Sequence, residues 1–165
     1  MKVKVVLTDG ELKEAAMAGV ERRIRAMQRN LKPNQRDRPE WEQKWWQSDV
    51  IGAIGEYALS KAFGQDHEFT DWDTNGKDVL QYQVRTIENP DAGLRVRRHD
   101  NPLDTFILAQ VHRNKVLLHG YATGIQVFNK GWERFPDCFE YPVEELYSMN
   151  DLAVPIVWSD SVTPI

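Results

Sequence analysis

The stretch Asp78-Val-Leu-Gln-Tyr-Gln-Val-Arg-Thr86 alternates apolar and polar side chains, which predicts a short β-strand with one apolar face. On the predicted strand Leu80–Ile87, Gln83 and Arg85 project side by side from the polar face. Asp78 precedes this strand and lies at odd spacing from Gln83, so the chain must bend or bulge if the two are to share a face. The sequence therefore places an acid, a side-chain amide and a fixed cation close together. An ordinary solvated sheet face would have the same alternation.

A second informative stretch, Gly52-Ala-Ile-Gly-Glu56, lies upstream in a predicted helix, Gly52–Phe63. Each glycine costs a helix about 1 kcal/mol relative to alanine, so two glycines within one turn need a structural reason. Close approach of the helix backbone to a sheet is such a reason, and it would hold the Glu56 carboxylate at the helix–sheet interface. The alternative is an exposed glutamate on an amphipathic helix.

Outside these two stretches, hydrophobic periodicity and capping signals predict helices first and strands later. In the N-terminal part we expect a strand at Lys2–Leu7, a helix from the Thr8/Glu11 capping box to about Asn30, a loop at 31–40 and a helical region that breaks near Ser48-Asp49. In the C-terminal part we expect strands at Leu94–Arg97, Phe106–Val111, Val116–Ala122 and Gly124–Phe128, a short helix at Pro142–Met149 and a loop or edge strand after Leu152. This order predicts an α/β or α+β fold.

Length and composition favour one domain, 1–165, with N-terminal elements at 1–47, a core at 48–128 and an extension at 129–165. No apolar run approaches the ~20 residues that a membrane span needs, and the N-terminal apolar stretch is too short for a signal peptide. The single cysteine, Cys138, excludes an intrachain disulfide and is typical of a reducing compartment. We therefore expect a cytoplasmic protein without a membrane partner.

Charge is unevenly distributed along the chain. Residues 22–38 hold seven basic side chains and one acid, and removing them changes the net charge from −4 to −10, with 14 basic and 24 acidic residues left. Such a segment predicts a polyanion partner or an intramolecular charge match, although a solvated helix face would have the same composition.

These stretches, in this order, resemble the PD-(D/E)XK nuclease superfamily, and most closely a phage and bacterial branch. The resemblance consists of Glu56 in Gly-Ala-Ile-Gly-Glu, Asp78 before a strand, and Gln83-Val-Arg85 on that strand. It continues through Gly93-Leu-Arg-Val-Arg-Arg-His-Asp100 and Asp104-Thr-Phe-Ile-Leu, covering roughly residues 45–125. The resemblance implies a restriction-endonuclease-like core, with a central mixed sheet flanked by helices and an N-terminal helical segment.

The resemblance also implies a metal-dependent nuclease that hydrolyses DNA phosphodiester bonds. Glu56, Asp78 and Gln83 would bind Mg²⁺ or Mn²⁺, together with the Val84 carbonyl, and Arg85 would complete the catalytic set. Gln83 replaces an acid and Arg85 replaces a lysine. An arginine, with a pKa above ~12, cannot act as a base but can hold a phosphate. The alternative function is a catalytically inactive nuclease-fold protein that binds nucleic acid or another protein.

Several assignments stay open at this point. Asp71 or Asp73 could replace Asp78, or be turn residues, and the pair His99 and Asp100 could assist the site or form a surface turn. Seven arginines are expected to contact DNA phosphates: Arg22, Arg25, Arg29, Arg36, Arg95, Arg97 and Arg98. Three tryptophans could stack on bases, but their helical spacing favours the core for at least two of them: Trp41, Trp45 and Trp46. His67 has no ligand-like spacing, and the oligomeric state, a homodimer included, is open.

Overall fold

Three α-helices and eight β-strands form a mixed α/β architecture in the computed structural model, which describes residues 1–29, 42–67 and 77–165. The helices are α1 (Asp9–Gln28), α2 (Glu42–Ala62) and α3 (Gly124–Lys130). The strands are β1 (Val3–Val6), β2 (Tyr82–Ile87), β3 (Leu94–Arg97), β4 (Thr105–His112), β5 (Lys115–Thr123), β6 (Trp132–Phe135), β7 (Cys138–Tyr141) and β8 (Val162–Pro164). The predicted loop 31–40, Trp41, Asp71 and Asp73 lie outside the described residues. No helix in the described ranges combines the length and apolar character needed to cross a membrane.

The strands form two sheets. The large sheet has the order β2-β4-β5-β1-β8, and β2 runs parallel to β4 while the other neighbours are antiparallel. The small sheet is antiparallel, with the order β3-β7-β6. The mixed α/β class expected from the sequence is confirmed, and β2, the strand with Gln83 and Arg85, lies at one edge of the large sheet.

Each face of the large sheet has its own core. One cluster contains residues of α1, α2 and one face of the large sheet, among them Ala15, Leu59, Val5, Ile107 and Leu118. The second cluster joins the other face to the small sheet and α3, and includes Phe106, Leu108, Leu94, Val96 and Val127. Burial of each large apolar side chain contributes about 1.5–3 kcal/mol, so both layers hold the edge strand in place.

The predicted start of α1 is confirmed. The Thr8 side chain accepts from the Glu11 N–H at 3.2 Å, and Glu11 Oε2 accepts from the Thr8 N–H at 2.7 Å. Lys61 of α2 donates to the same carboxylate at 2.7 Å and to the Val6 carbonyl at 3.0 Å. This small network fixes β1, α1 and α2 relative to one another.

Two predicted boundaries are wrong. α2 continues through Ser48-Asp49 without a break, because the Asp49 carboxylate is buried in an ion pair with Arg23 of α1 instead of ending the helix. The predicted strand Gly124–Phe128 is helical and belongs to α3. Thr123 caps this helix, with Gln126 completing a capping box that overrides the apparent alternation.

Other differences concern exposed segments. The β6–β7 hairpin was not expected, since all four residues of β6 are exposed and leave no apolar alternation to detect. The predicted helix Pro142–Met149 contains only a 3₁₀ turn at Val143–Glu145, with a second at Met149–Asp151. Trp45 is half-buried and Trp46 is 39% exposed, so Trp46 is not the core residue that helical spacing favoured.

Candidate functional site

Glu56 lies buried where α1 meets α2. Both of its carboxylate oxygens accept hydrogen bonds from Arg22, Oε1 from Nη1 at 2.8 Å and Oε2 from Nη2 at 2.6 Å. His67 Nε2 lies 3.7 Å from Oε2, and its other ring nitrogen, Nδ1, lies 2.8 Å from Ser60 Oγ. Burial opposes ionisation, but the hydrogen bonds from Arg22 and the nearby His67 ring outweigh it and lower the pKa of Glu56. The carboxylate is therefore held in its charged form.

A glycine explains how α2 brings Glu56 to the sheet. A Cβ atom on Gly55 would lie 2.2 Å from the Thr86 hydroxyl of β2, so only glycine fits where the helix touches the strand. Glu56 is only 5% exposed, so the alternative of a solvent-exposed glutamate is wrong, and the carboxylate faces Arg22 of α1. Gly52 has no such role, because a Cβ atom there would meet nothing within 4 Å.

Asp78 reaches the same region through a tight turn. Leu80 adopts a left-handed backbone with φ of 52°, and Val79 pairs with Tyr82 across the turn. This is the bend that the odd spacing between Asp78 and Gln83 requires. Burial and the nearby charge of Glu56 raise the pKa of Asp78 to about 6, although a hydrogen bond from the Val84 N–H and the charge of Arg85 act in the opposite direction. Glu56 and Asp78 are thus electrostatically coupled.

The carboxylate of Asp78 sits at the β2 edge of the large sheet. The Val84 N–H donates to Asp78 Oδ2 at 2.7 Å. Because the N–H and C=O of one strand residue point to the same side, the Val84 carbonyl also faces this edge. There it accepts from Arg85 Nη1 at 3.3 Å, and the same nitrogen lies 4.0 Å from Asp78 Oδ2. The edge therefore presents a carboxylate, a carbonyl and a guanidinium together.

Gln83 and Arg85 lie on the face of β2 opposite the buried Tyr82 and Val84, as the alternation predicts. The Gln83 amide nitrogen donates to Asp104 at 3.4 Å, and Asp104 also pairs with Lys77. Gln83 thus contacts Asp104, a residue to which the sequence analysis assigned no role.

Arg85 is fixed by three contacts. Nη2 donates to Asp100 at 3.0 Å, Nη1 donates to the Val84 carbonyl, and the guanidinium lies 4.9 Å from the centre of the Phe106 ring. Asp100 Oδ2 also accepts from the Arg97 N–H at 2.8 Å, so it connects β2 to the end of β3. Of the pair considered from the sequence, Asp100 joins the site, whereas His99 is exposed.

Arg22 is placed differently from its predicted role in DNA contact. Its side chain is only 14% exposed and is directed to Glu56. Sequence analysis could not identify this pair or His67, because the partners are brought together only by the packing of α1 on α2 and by the turn after α2. The one available signal was the acid–base asymmetry of the chain, which left an intramolecular charge match open.

The remaining predicted phosphate contacts occupy two surfaces. Arg25 and Arg29 are exposed at the end of α1, and Arg25 lies 3.6 Å from Glu21. Arg95, Arg97 and Arg98 lie on or just after β3 in the small sheet. Arg36 falls outside the described residues.

The resemblance implies a metal site formed by Glu56, Asp78, Gln83 and the Val84 carbonyl. Among the described residues, no group of three or more His, Cys, Asp or Glu side chains is arranged to hold a metal ion. The oxygens that the fold does bring to one region are those of two carboxylates, Glu56 and Asp78, and the Val84 carbonyl. A metal site built from these oxygens would have two carboxylate ligands instead of three. Mg²⁺ can bind at such a site because it keeps several water molecules as ligands.

Comparison of the chain with protein-family models, curated proteins and solved structures found no match. Any functional assignment therefore depends on the residues and contacts described above.

Proposed function

We propose that this chain is a metal-dependent nuclease with a restriction-endonuclease-like core, in which Glu56 and Asp78 hold Mg²⁺ or Mn²⁺ and DNA is the substrate. The supporting observation is the electrostatic coupling of a buried helix carboxylate, Glu56, to a half-buried one, Asp78, at the entrance of an edge strand. The charge of Glu56 contributes to raising the pKa of Asp78 to about 6. Two coupled acids with a perturbed pKa, adjacent to an arginine, are typical of a functional site.

The donors present suit a hard divalent cation. Carboxylate and carbonyl oxygens are the ligands that Mg²⁺ takes, so Glu56, Asp78 and the Val84 carbonyl would hold it. The Gln83 amide nitrogen donates to Asp104, and in this proposal the amide oxygen of Gln83 is a further ligand for the metal. A bound metal would polarise the phosphate and lower the pKa of a water molecule.

The side chains around these oxygens would bind and orient the substrate. Arg85 cannot act as a base, but its guanidinium is pre-oriented by Asp100 and by the Phe106 ring to hold a phosphate and stabilise developing negative charge. For the metal to reach Glu56, at least one of the two hydrogen bonds from Arg22 must open. Arg22 would then remain close enough to a bound phosphate to neutralise it.

One observation favours the second candidate, a catalytically inactive protein that binds nucleic acid or another protein. The Glu56 carboxylate is fully paired with Arg22, and the Val84 carbonyl is paired with Arg85. Two guanidinium groups therefore supply, within the chain itself, the positive charge that a metal would provide. Separating Arg22 from Glu56 so that a metal could bind would cost free energy, because it breaks a buried ion pair.

Incubation of the purified protein with supercoiled plasmid, with linear duplex DNA and with single-stranded DNA tests the proposal, in Mg²⁺, in Mn²⁺ and in EDTA. We expect cleavage that requires metal and is lost in Glu56→Gln and Asp78→Asn, while the exposed control Glu144→Gln cleaves as the wild type does. A thermal shift with Mn²⁺, present in the wild type and absent in Asp78→Asn, would report metal binding independently of activity.

Cleavage that survives in both site variants would overturn the proposed site. Metal-independent DNA binding, without cleavage and without a Mn²⁺ shift, would support the inactive protein instead.

A further inference from the structure

The small sheet has one buried face and one exposed face. Leu94, Val96 and Tyr141 point into the core and are 0%, 0% and 3% exposed. Residues directly opposite each other on neighbouring strands point to the same side. The strand register therefore assigns six residues to the other face, in two cross-strand rows: Arg95, Glu140 and Trp132; Arg97, Cys138 and Phe135.

The exposed face combines aromatic rings with guanidinium groups. Trp132 is 46% exposed and Phe135 is 47% exposed, on a strand whose four residues are all exposed. The guanidinium of Arg95 lies 5.7 Å from the centre of the Phe135 ring, and that of Arg134 lies 5.9 Å from it. Arginine placed beside accessible rings is the composition used to stack and neutralise nucleotides.

Charge on this face differs from that of the rest of the chain. The segments 94–98 and 132–141 hold four arginines and three acids, a net charge of +1 in a chain of net charge −4. Glu140 is buried, and its carboxylate accepts from Arg95 at 2.8 Å and from the Gly93 N–H at 3.1 Å. It orients Arg95 and does not add a free negative charge to the surface.

The exposed face leads to the candidate active site. Asp100 Oδ2 accepts from the Arg97 N–H at the end of β3 and from Arg85 Nη2 on β2. A strand of nucleic acid lying over Phe135 and Arg97 would therefore approach Arg85, next to Asp78.

We infer that this face of the small sheet binds single-stranded nucleic acid and guides it to the Glu56–Asp78 site, with Trp132 and Phe135 stacking on bases. The inference rests on the proposed nuclease function and names its substrate class. Duplex DNA, whose bases are already stacked on each other, cannot use these rings in the same way.

Fluorescence anisotropy with a labelled oligothymidylate of about 16 nucleotides tests the inference. The measurement is made in EDTA, so that metal-dependent cleavage does not interfere. Trp132→Ala and Phe135→Ala are each expected to weaken binding by about 5-fold to 150-fold, because each base–aromatic stack contributes about 1–3 kcal/mol. Trp158→Ala is the matched control, since Trp158 is 45% exposed but lies outside the small sheet. Trp132→Phe is expected to restore most of the affinity.

A second pair of variants tests the charge on this face. Arg134→Gln and Arg113→Gln remove the same charge, one on β6 and one in the β4–β5 turn. Only Arg134→Gln is expected to reduce the dependence of affinity on salt, by about 0.7 in the logarithmic slope for one lost phosphate contact.

Wild-type affinity in both Trp132→Ala and Phe135→Ala would overturn the inference. So would duplex DNA that binds as tightly as the single strand, or the absence of any oligonucleotide binding at low salt. A dimer that Trp132→Ala dissociates, without oligonucleotide binding, would assign the surface to a second copy of the chain.

The two proposals can fail separately. Binding that depends on Trp132, in a protein that never cleaves, would support the single-strand-binding surface and exclude the nuclease function. Metal-dependent cleavage of duplex DNA alone, unchanged in Trp132→Ala, would support the nuclease function and exclude the single-strand-binding surface.

Discussion

The guanidinium of Arg22 and the carboxylate of Glu56 form a two-bond ion pair that joins α1 to α2 inside the candidate site. Both side chains are largely buried, at 14% and 7% exposure. In this position the pair has a structural role, whether or not the site binds metal.

Arg22→Ala is therefore expected to destabilise the protein strongly. Loss of one partner leaves the other charge buried and unpaired, which typically costs about 3–5 kcal/mol. Urea unfolding in EDTA measures the effect. Arg25→Ala is the control, since Arg25 is 48% exposed and lies 3.6 Å from Glu21, a surface pair that contributes about 0–1 kcal/mol. Equal losses in the two variants would contradict a structural role for the pair.

Gly55→Ala and Gly52→Ala, two substitutions within one turn of α2, are expected to have opposite effects. A Cβ atom on residue 55 would overlap Thr86, so Gly55→Ala should lower the free energy of unfolding by about 1–3 kcal/mol. Gly52→Ala meets nothing within 4 Å and should raise it by about 0.5–1 kcal/mol through helix propensity. Chemical denaturation measures the free energy of unfolding of both variants. If both substitutions change it in the same direction, the close contact between α2 and β2 is refuted.

Stability should depend on pH through Asp78. Its pKa is about 6 in the folded protein, against an ordinary value of 3.8, so between these pH values the folded state keeps a proton that the unfolded state has released. The stabilising contribution of Asp78 is therefore present at acid pH and lost as the pH rises through about 6. Relative to Asp78→Asn, the wild type should lose about 2–3 kcal/mol between pH 4 and pH 7.

Glu56→Gln supplies a comparison of opposite sign. The pKa of Glu56 is lowered, because the hydrogen bonds from Arg22 and the nearby His67 ring outweigh the effect of burial. Its contribution is present above the ordinary pKa of 4.5 and is lost as the pH falls. If both variants show the same slope against the wild type, the assigned electrostatics are wrong.

Arg85→Lys should reduce metal-dependent cleavage by about tenfold or more, even though the charge is kept. A lysine has no planar fork and cannot reproduce the contacts to Asp100, the Val84 carbonyl and the Phe106 ring together. Cleavage rates with saturating DNA measure the effect, and Arg113→Lys in the β4–β5 turn is the control. Full activity in Arg85→Lys would exclude an oriented role for the guanidinium.

The parts of the site that sequence predicts are those encoded locally. The alternation after Tyr82 places Gln83 and Arg85 on one face, and the glycine beside Glu56 indicates the close contact with a sheet. Both are properties of a few neighbouring residues, and both agree with the structure.

The parts that sequence analysis missed depend on packing between distant segments. Arg22 lies 34 positions before Glu56, and nothing in either local pattern indicates that the two side chains meet. The helix α3 is a different case, because Thr123 and Gln126 form a capping box that is local in the sequence and overrides the apolar alternation that predicts a strand.

The position of Asp78 also affects whether two copies of the protein can associate through the edge of the large sheet. An edge strand with open N–H and C=O groups is a template on which another chain can add a strand, the first step of aggregation. On β2, the Val84 N–H donates a hydrogen bond to the Asp78 carboxylate, and the Val84 carbonyl accepts one from the Arg85 guanidinium. The same two side chains proposed for phosphodiester hydrolysis thus block strand addition at the centre of this edge.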